Sequence, residues 1–135
     1  MSPSLLALLG FIAWTLLLLV LMEVLRTRLV VTGRVPANGF DPGNSRLSPF
    51  MQRLARAHAN CLEGLPIFGG LLLLAVVAGR SSVTDPLALV LLAARLLQSV
   101  IHLISTSPRA VSLRFTAFAV QTLIGVYWVI RLFGA

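Results

Sequence analysis

Lysine is absent from this chain, and only four acidic residues stand against eleven arginines. Charge of either sign is scarce: 11% of the 135 residues are charged, whereas 58% are hydrophobic. With a mean hydropathy of +0.95, that balance identifies an integral membrane protein. A single cysteine, Cys61, excludes an intrachain disulfide framework and a cysteine-rich metal site. Sustained strand-like alternation and internal repeats are missing, which excludes a β fold and a repeat array. No glycine-rich phosphate loop, Ser-His-Asp set or zinc motif occurs. The N-terminus lacks a basic n-region and a small-residue cleavage site, and its uncharged run from Leu5 to Met22 is long for a signal peptide. It reads as a retained span. Lysine-free usage points to a GC-rich genome and hence a bacterial source.

What remains is apolar and arginine-rich. A net charge of +7 would suggest nucleic acid in a soluble protein. Here the arginines sit between apolar runs, so membrane lipid phosphates and an anionic ligand are the expected counter-charges, and nucleic acid is not. Four spans fit the length, at about residues 4–27, 49–79, 85–104 and 109–133, each near the roughly 20 residues a bilayer requires. The expectation is an all-α transmembrane four-helix bundle, one domain over residues 1–135. Ser48-Pro49 offers an N-cap followed by proline at the first helical position. Pro66 predicts a kink in the second span. The polar turn Arg80–Pro86 and the break Ser105–Pro108 separate the remaining helices.

The connection over residues 26–56 carries six arginines and that over 107–114 two, which places this side in the cytoplasm and both termini outside. Tyr127 and Trp128 suit a membrane interface, and Trp14 does not. Arg26, Arg28, Arg46 and Arg53 read as headgroup contacts, with Glu23 and Arg26 as a surface pair. His58 is expected to face solvent or headgroups, and Cys61 to pack as a small apolar residue.

Polar side chains recur at helical spacing. Arg56, Asn60 and Glu63 stand at i, i+4 and i+7, on one face of the second span. Arg95, Gln98, Ser99 and His102 form a second stripe on the third, and Arg109 and Arg114 open the fourth. The long loop adds Arg34 and Arg46. If these faces converge they make a cationic pocket holding one carboxylate and several amides. Such a pocket suits a zwitterionic anion better than a metal, because arginine is no ligand and only Glu63 and two histidines remain. Taken alone, the residues leave two readings for Glu63, ligand binding or an ion pair within the bundle. Two are also open for His102, which either lines the pocket or caps the third helix.

The stretch Arg56-Ala-His58-Ala-Asn60-Cys61-Leu62-Glu63-Gly64-Leu65-Pro66-Ile67-Phe68 resembles the helix-two signature of the MAPEG family, the membrane-associated proteins of eicosanoid and glutathione metabolism. Leukotriene-C synthase and the microsomal glutathione transferases belong to it. Four spans, a basic first loop, Ala94-Arg95 and an arginine opening the last helix extend the likeness over most of the chain. The resemblance implies a homotrimer that binds glutathione between subunits near the cytoplasmic face. It implies that Arg56, Asn60 and Glu63 hold glutathione, with Arg95 and Arg34 contributing; Gln98 and His102 are candidates for the same pocket from their place on the Arg95 stripe. Arg114 is similar to the family's arginine beside the thiol and would be the catalytic residue.

Two arginine forks for carboxylates and Glu63 for an ammonium match the tripeptide chemically. The implied function is a glutathione-dependent transferase or peroxidase acting on lipophilic electrophiles in a bacterial inner membrane. A non-catalytic lipid-binding or scaffold member of the family is the alternative. Gln98 and His102 stand where eicosanoid synthases often have tyrosines, and Phe118 stands near another such position. Thiol activation is therefore expected from arginine without a tyrosine hydroxyl. The electrophile, the choice between conjugation and reduction, the donor thiol and the helix-four register are not encoded legibly.

Overall fold

Serine-proline pairs open three of the four helices. In the computed structural model, which describes residues 1–134, α1 spans Pro3–Val31, α2 Pro49–Val77, α3 Ser81–Ile104 and α4 Pro108–Phe133. Ser2, Ser48 and Ser107 each accept a hydrogen bond from the backbone N–H three residues on, at 3.2, 3.3 and 3.2 Å. Proline follows each of them at the first helical position, where it forfeits no intrahelical bond. All four helices are long and apolar enough to cross a membrane, and no strand occurs among the described residues.

Helix α3 begins a turn earlier than the sequence suggests, at Ser81. The reason is where Asp85 goes. It does not cap its own helix; its Oδ1 accepts from the Ser4 N–H at 3.0 Å and the Ser4 hydroxyl at 2.6 Å. A carboxylate thus rests on the positive end of α1. Asp85→Ala is expected to cost about 1–2 kcal/mol, the scale of a lost cap, while leaving ligand binding intact. Thermal denaturation in detergent checks this, and an unchanged midpoint would refute it. Helix α1 also outruns expectation at its far end, continuing to Val31.

The predicted break at Pro66 takes a specific form. Residues Leu65–Gly69 adopt a π turn between α-helical halves Pro49–Gly64 and Gly70–Val77, so the missing proline N–H is absorbed by a widened turn. Gly79, at φ +69°, closes the helix and reverses the chain into α3.

Helix α3 is the centre of the bundle and packs on the other three, whereas α2 meets α4 substantially only through its Gly70–Val77 half. The first half of α2 and the start of α4 therefore stand apart over α3. Phe11, Leu18, Leu54, Leu72, Leu91 and Trp128 are fully or almost fully buried in the core. Trp128, expected at the interface, is a core residue because its side of α4 turns inward. Tyr127 is exposed as expected and accepts a hydrogen bond from Arg131 at 2.8 Å.

Two arginines read as headgroup contacts are structural instead. Arg53 donates from Nε to the Leu103 carbonyl at 2.9 Å, closing the last turn of α3. Arg26 pairs with Glu23 at 3.3 Å as expected, but also donates to Asn44 Oδ1 at 3.0 and 2.6 Å and to the Asp41 carbonyl at 3.1 Å. Asn44, buried at φ +53°, passes the link to the Met51 carbonyl at 2.8 Å, so the long loop is tied to both α1 and α2. Hydrogen bonds from the Ser45 side chain and N–H hold the exposed Asp41 carboxyl below its usual range. His58 is buried, not solvent-facing.

Candidate functional site between α2 and α4

The gap between α2 and α4 contains three adjoining cavities, and Asn60 lines all of them. The first, about 380 Å³, is bounded by Arg56, Ala59, Asn60 and Glu63 of α2, His102 of α3 and Arg114 of α4. The second, about 270 Å³, adds Gln98 to Asn60 and Arg114, with Val111, Phe115 and Phe118 as its apolar wall. The third, about 490 Å³, lies deeper: Asn60, Glu63 and Arg95 edge it, and Ile67, Phe68, Leu71, Val126, Val129 and Ile130 supply apolar surface. One end is therefore cationic and the other apolar.

The α3 stripe is buried throughout, with Arg95 0%, Gln98 5%, Ser99 3% and His102 4% exposed. The stripe is the side of α3 turned toward the other three helices, whereas Val90, Leu97 and Ile104 on the same helix are exposed. Cys61, also buried, packs against the stripe with its sulfur 3.2 Å from the Ser99 hydroxyl. Arg95 lies over the Phe11 ring, 5.2 Å from its centroid, and makes one weak bond, to the Asn60 carbonyl at 3.4 Å. Gly64 makes room for it: a Cβ there would lie 2.6 Å from Arg95 Nη2.

The site is rich in unspent donors. Arg95 Nε and Nη2, Arg114 Nε and His102 Nε2 are buried without a hydrogen-bond partner among the described residues. Native interiors seldom leave such groups unmade, so an acceptor-rich ligand fits here. Glu63 is exposed on its helix, and the sole ion pair among the described residues is Glu23–Arg26. Glu63 is therefore not consumed by an arginine within the chain. Of the two sequence readings of His102, the cavity-lining one matches its position, while Arg53 takes the carbonyl at the end of α3.

The sequence model of the MAPEG family matches residues 4–134. The chain belongs to the MAPEG family. No curated protein and no solved structure matches it. As a MAPEG protein it is a multi-pass integral membrane protein of a family concerned with glutathione and eicosanoid metabolism.

Within this MAPEG chain, Arg56, Asn60, Glu63, Arg95, Gln98, His102 and Arg114 all line the connected cleft. Arg34 does not. It is exposed in the loop after α1 and borders none of the three cavities. Gln121 is a polar residue of the site region that sequence reading missed. Fully buried on α4, it donates to Gln98 Oε1 at 2.8 Å and to the Ala117 carbonyl at 3.0 Å. Its spacing of i+7 from Arg114 was the available signal.

Proposed function

We propose that this MAPEG protein is a membrane-embedded glutathione-dependent transferase whose second substrate is a lipophilic electrophile. One observation carries the reading: a cationic chamber with free donors opens, past Asn60 and Glu63, onto a larger apolar chamber. Arg56 and Arg95 suit the two carboxylates of glutathione, and Glu63 its ammonium. Arg114 would stand beside the sulfur, where a guanidinium favours thiolate over a thiol of ordinary pKa near 8.5. The apolar chamber would hold the electrophile. A sulfur–carbon bond then forms as the leaving group or a ring oxygen takes the electron pair. With a hydroperoxide the same thiolate would attack the outer oxygen and break the O–O bond, releasing the alcohol and leaving a sulfenic acid that a second glutathione converts to disulfide and water.

Assembly as a homotrimer fits the exposure of Arg56 and Glu63. Charged groups at membrane depth are costly, and a neighbouring subunit would cover them and bring its Arg34 to the cleft. The cationic chamber lies at the end that carries the two arginine-rich connections, which supports a site facing the cytoplasm of a bacterial inner membrane.

Glutathione is expected to raise the thermal midpoint of the purified protein. Glu63→Gln and Arg56→Ala should each weaken binding about 10- to 100-fold, as charge-assisted hydrogen bonds of about 1.5–3 kcal/mol require. A titration followed by thermal shift reads both. Stabilisation by lipid with no response to glutathione would favour the non-catalytic lipid-binding alternative and end this proposal.

A further inference from the structure

Gln121 and Gln98 form a buried amide pair whose sense is set by the backbone. Gln121 Nε2 faces the Ala117 carbonyl at 3.0 Å, and a carbonyl oxygen accepts only. The Gln121 amide must therefore point its NH₂ that way, even though its own Oε1 is left buried and unpartnered. The second hydrogen of that NH₂ goes to Gln98 Oε1 at 2.8 Å. Turning Gln98 over would set two NH₂ groups against each other, so its orientation is determined too. Its own Nε2 makes no hydrogen bond among the described residues, and Gln98 lines the cavity shared by Asn60 and Arg114.

We infer that Gln121 is a positioning residue that fixes Gln98 as a hydrogen-bond donor into the Arg114 cavity, where the donor meets the anionic sulfur of the bound thiol. The inference rests on the glutathione reading above. It goes further by assigning the sulfur a second, uncharged donor and by giving a role to a residue outside the cleft. A neutral amide held only by other amides keeps its donor sense at every pH in which the bundle folds. An imidazole in its place would change sense on titration, and a hydroxyl could rotate to accept instead of donate.

The test is the pH midpoint of thiolate absorbance for glutathione bound to wild type, Gln98→Met, Gln121→Met and the double variant. Hydrogen bonding to a charged form lowers the pKa, so each single variant should raise the midpoint by about 0.5–1 unit, a roughly three- to tenfold loss of thiolate preference. The double variant should do no more than either single one, because both remove the same donor. A buried methionine that prevents folding is replaced by Gln121→Asn, whose shorter reach must give the same rise. A wild-type midpoint in either single variant, or summed shifts in the double, would overturn the inference alone. Loss of any thiolate signal in wild type would overturn the glutathione reading and this inference with it.

Discussion

Arg114→Ala is expected to abolish the thiolate absorbance of bound glutathione while retaining much of the binding. That result is expected because Arg114 borders the first two cavities, with a buried Nε that bonds to nothing among the described residues. An unassisted thiol is only a few per cent ionised at neutral pH, so most of the nucleophile vanishes with the guanidinium. Loss of a donor aimed at developing charge costs about 10²–10³ in turnover. The drop should appear in kcat for a chlorodinitrobenzene-type electrophile, with the glutathione titration midpoint moving far less. Arg114→Lys should recover part of the signal, since charge returns without the fork. A variant that lost binding and thiolate together would instead make Arg114 a carboxylate anchor.

Arg95→Met should make the ligand-free protein more stable and the liganded protein worse. Arg95 is completely enclosed, holds one long bond to the Asn60 carbonyl, and has no carboxylate within ion-pair distance. Desolvating a guanidinium is expensive, and the Phe11 ring returns only about 2 kcal/mol. Replacing buried charge by a well-packed apolar side chain has stabilised other proteins by about 1–4 kcal/mol. A higher thermal midpoint without glutathione, joined to a tenfold or greater loss of glutathione affinity, would show a cost retained for binding. A lower midpoint would mean that the bundle itself requires the cation.

Periodicity made much of this visible. Arg56, Asn60 and Glu63 at helical spacing line the cleft, and the Arg95, Gln98, Ser99 and His102 stripe is buried as a unit. Spacing reports which side chains share a face. It cannot report what another helix does with them. Asp85 stands in the polar turn before the expected third span, and only the structure shows Ser4 of α1 donating to it. Trp128 and Tyr127 are neighbours in sequence with opposite fates, because α4 turns one inward and the other outward. Arg53 and Arg26 were misread through reach: a long side chain placed near headgroups can equally well fold back onto a carbonyl. Gln121 stood alone among apolar residues, and only Gln98 across the helix interface gives it meaning. Arg34 remains apart from the cleft in one chain, so no periodicity within that chain could have joined it to the others.

The widened turn at Leu65–Gly69 divides α2 into two segments with separate angular phase. Each residue of an α-helix advances about 100°, so straightening this turn to α geometry at unchanged length would swing Gly70–Val77 by about a quarter revolution relative to Arg56–Glu63. Leu72 and Ala75, now inside, would leave the core, while the upstream charged triad kept its bearing. The width of this one coil is thus a setting that aligns hydrocarbon-facing walls with an ionic mouth.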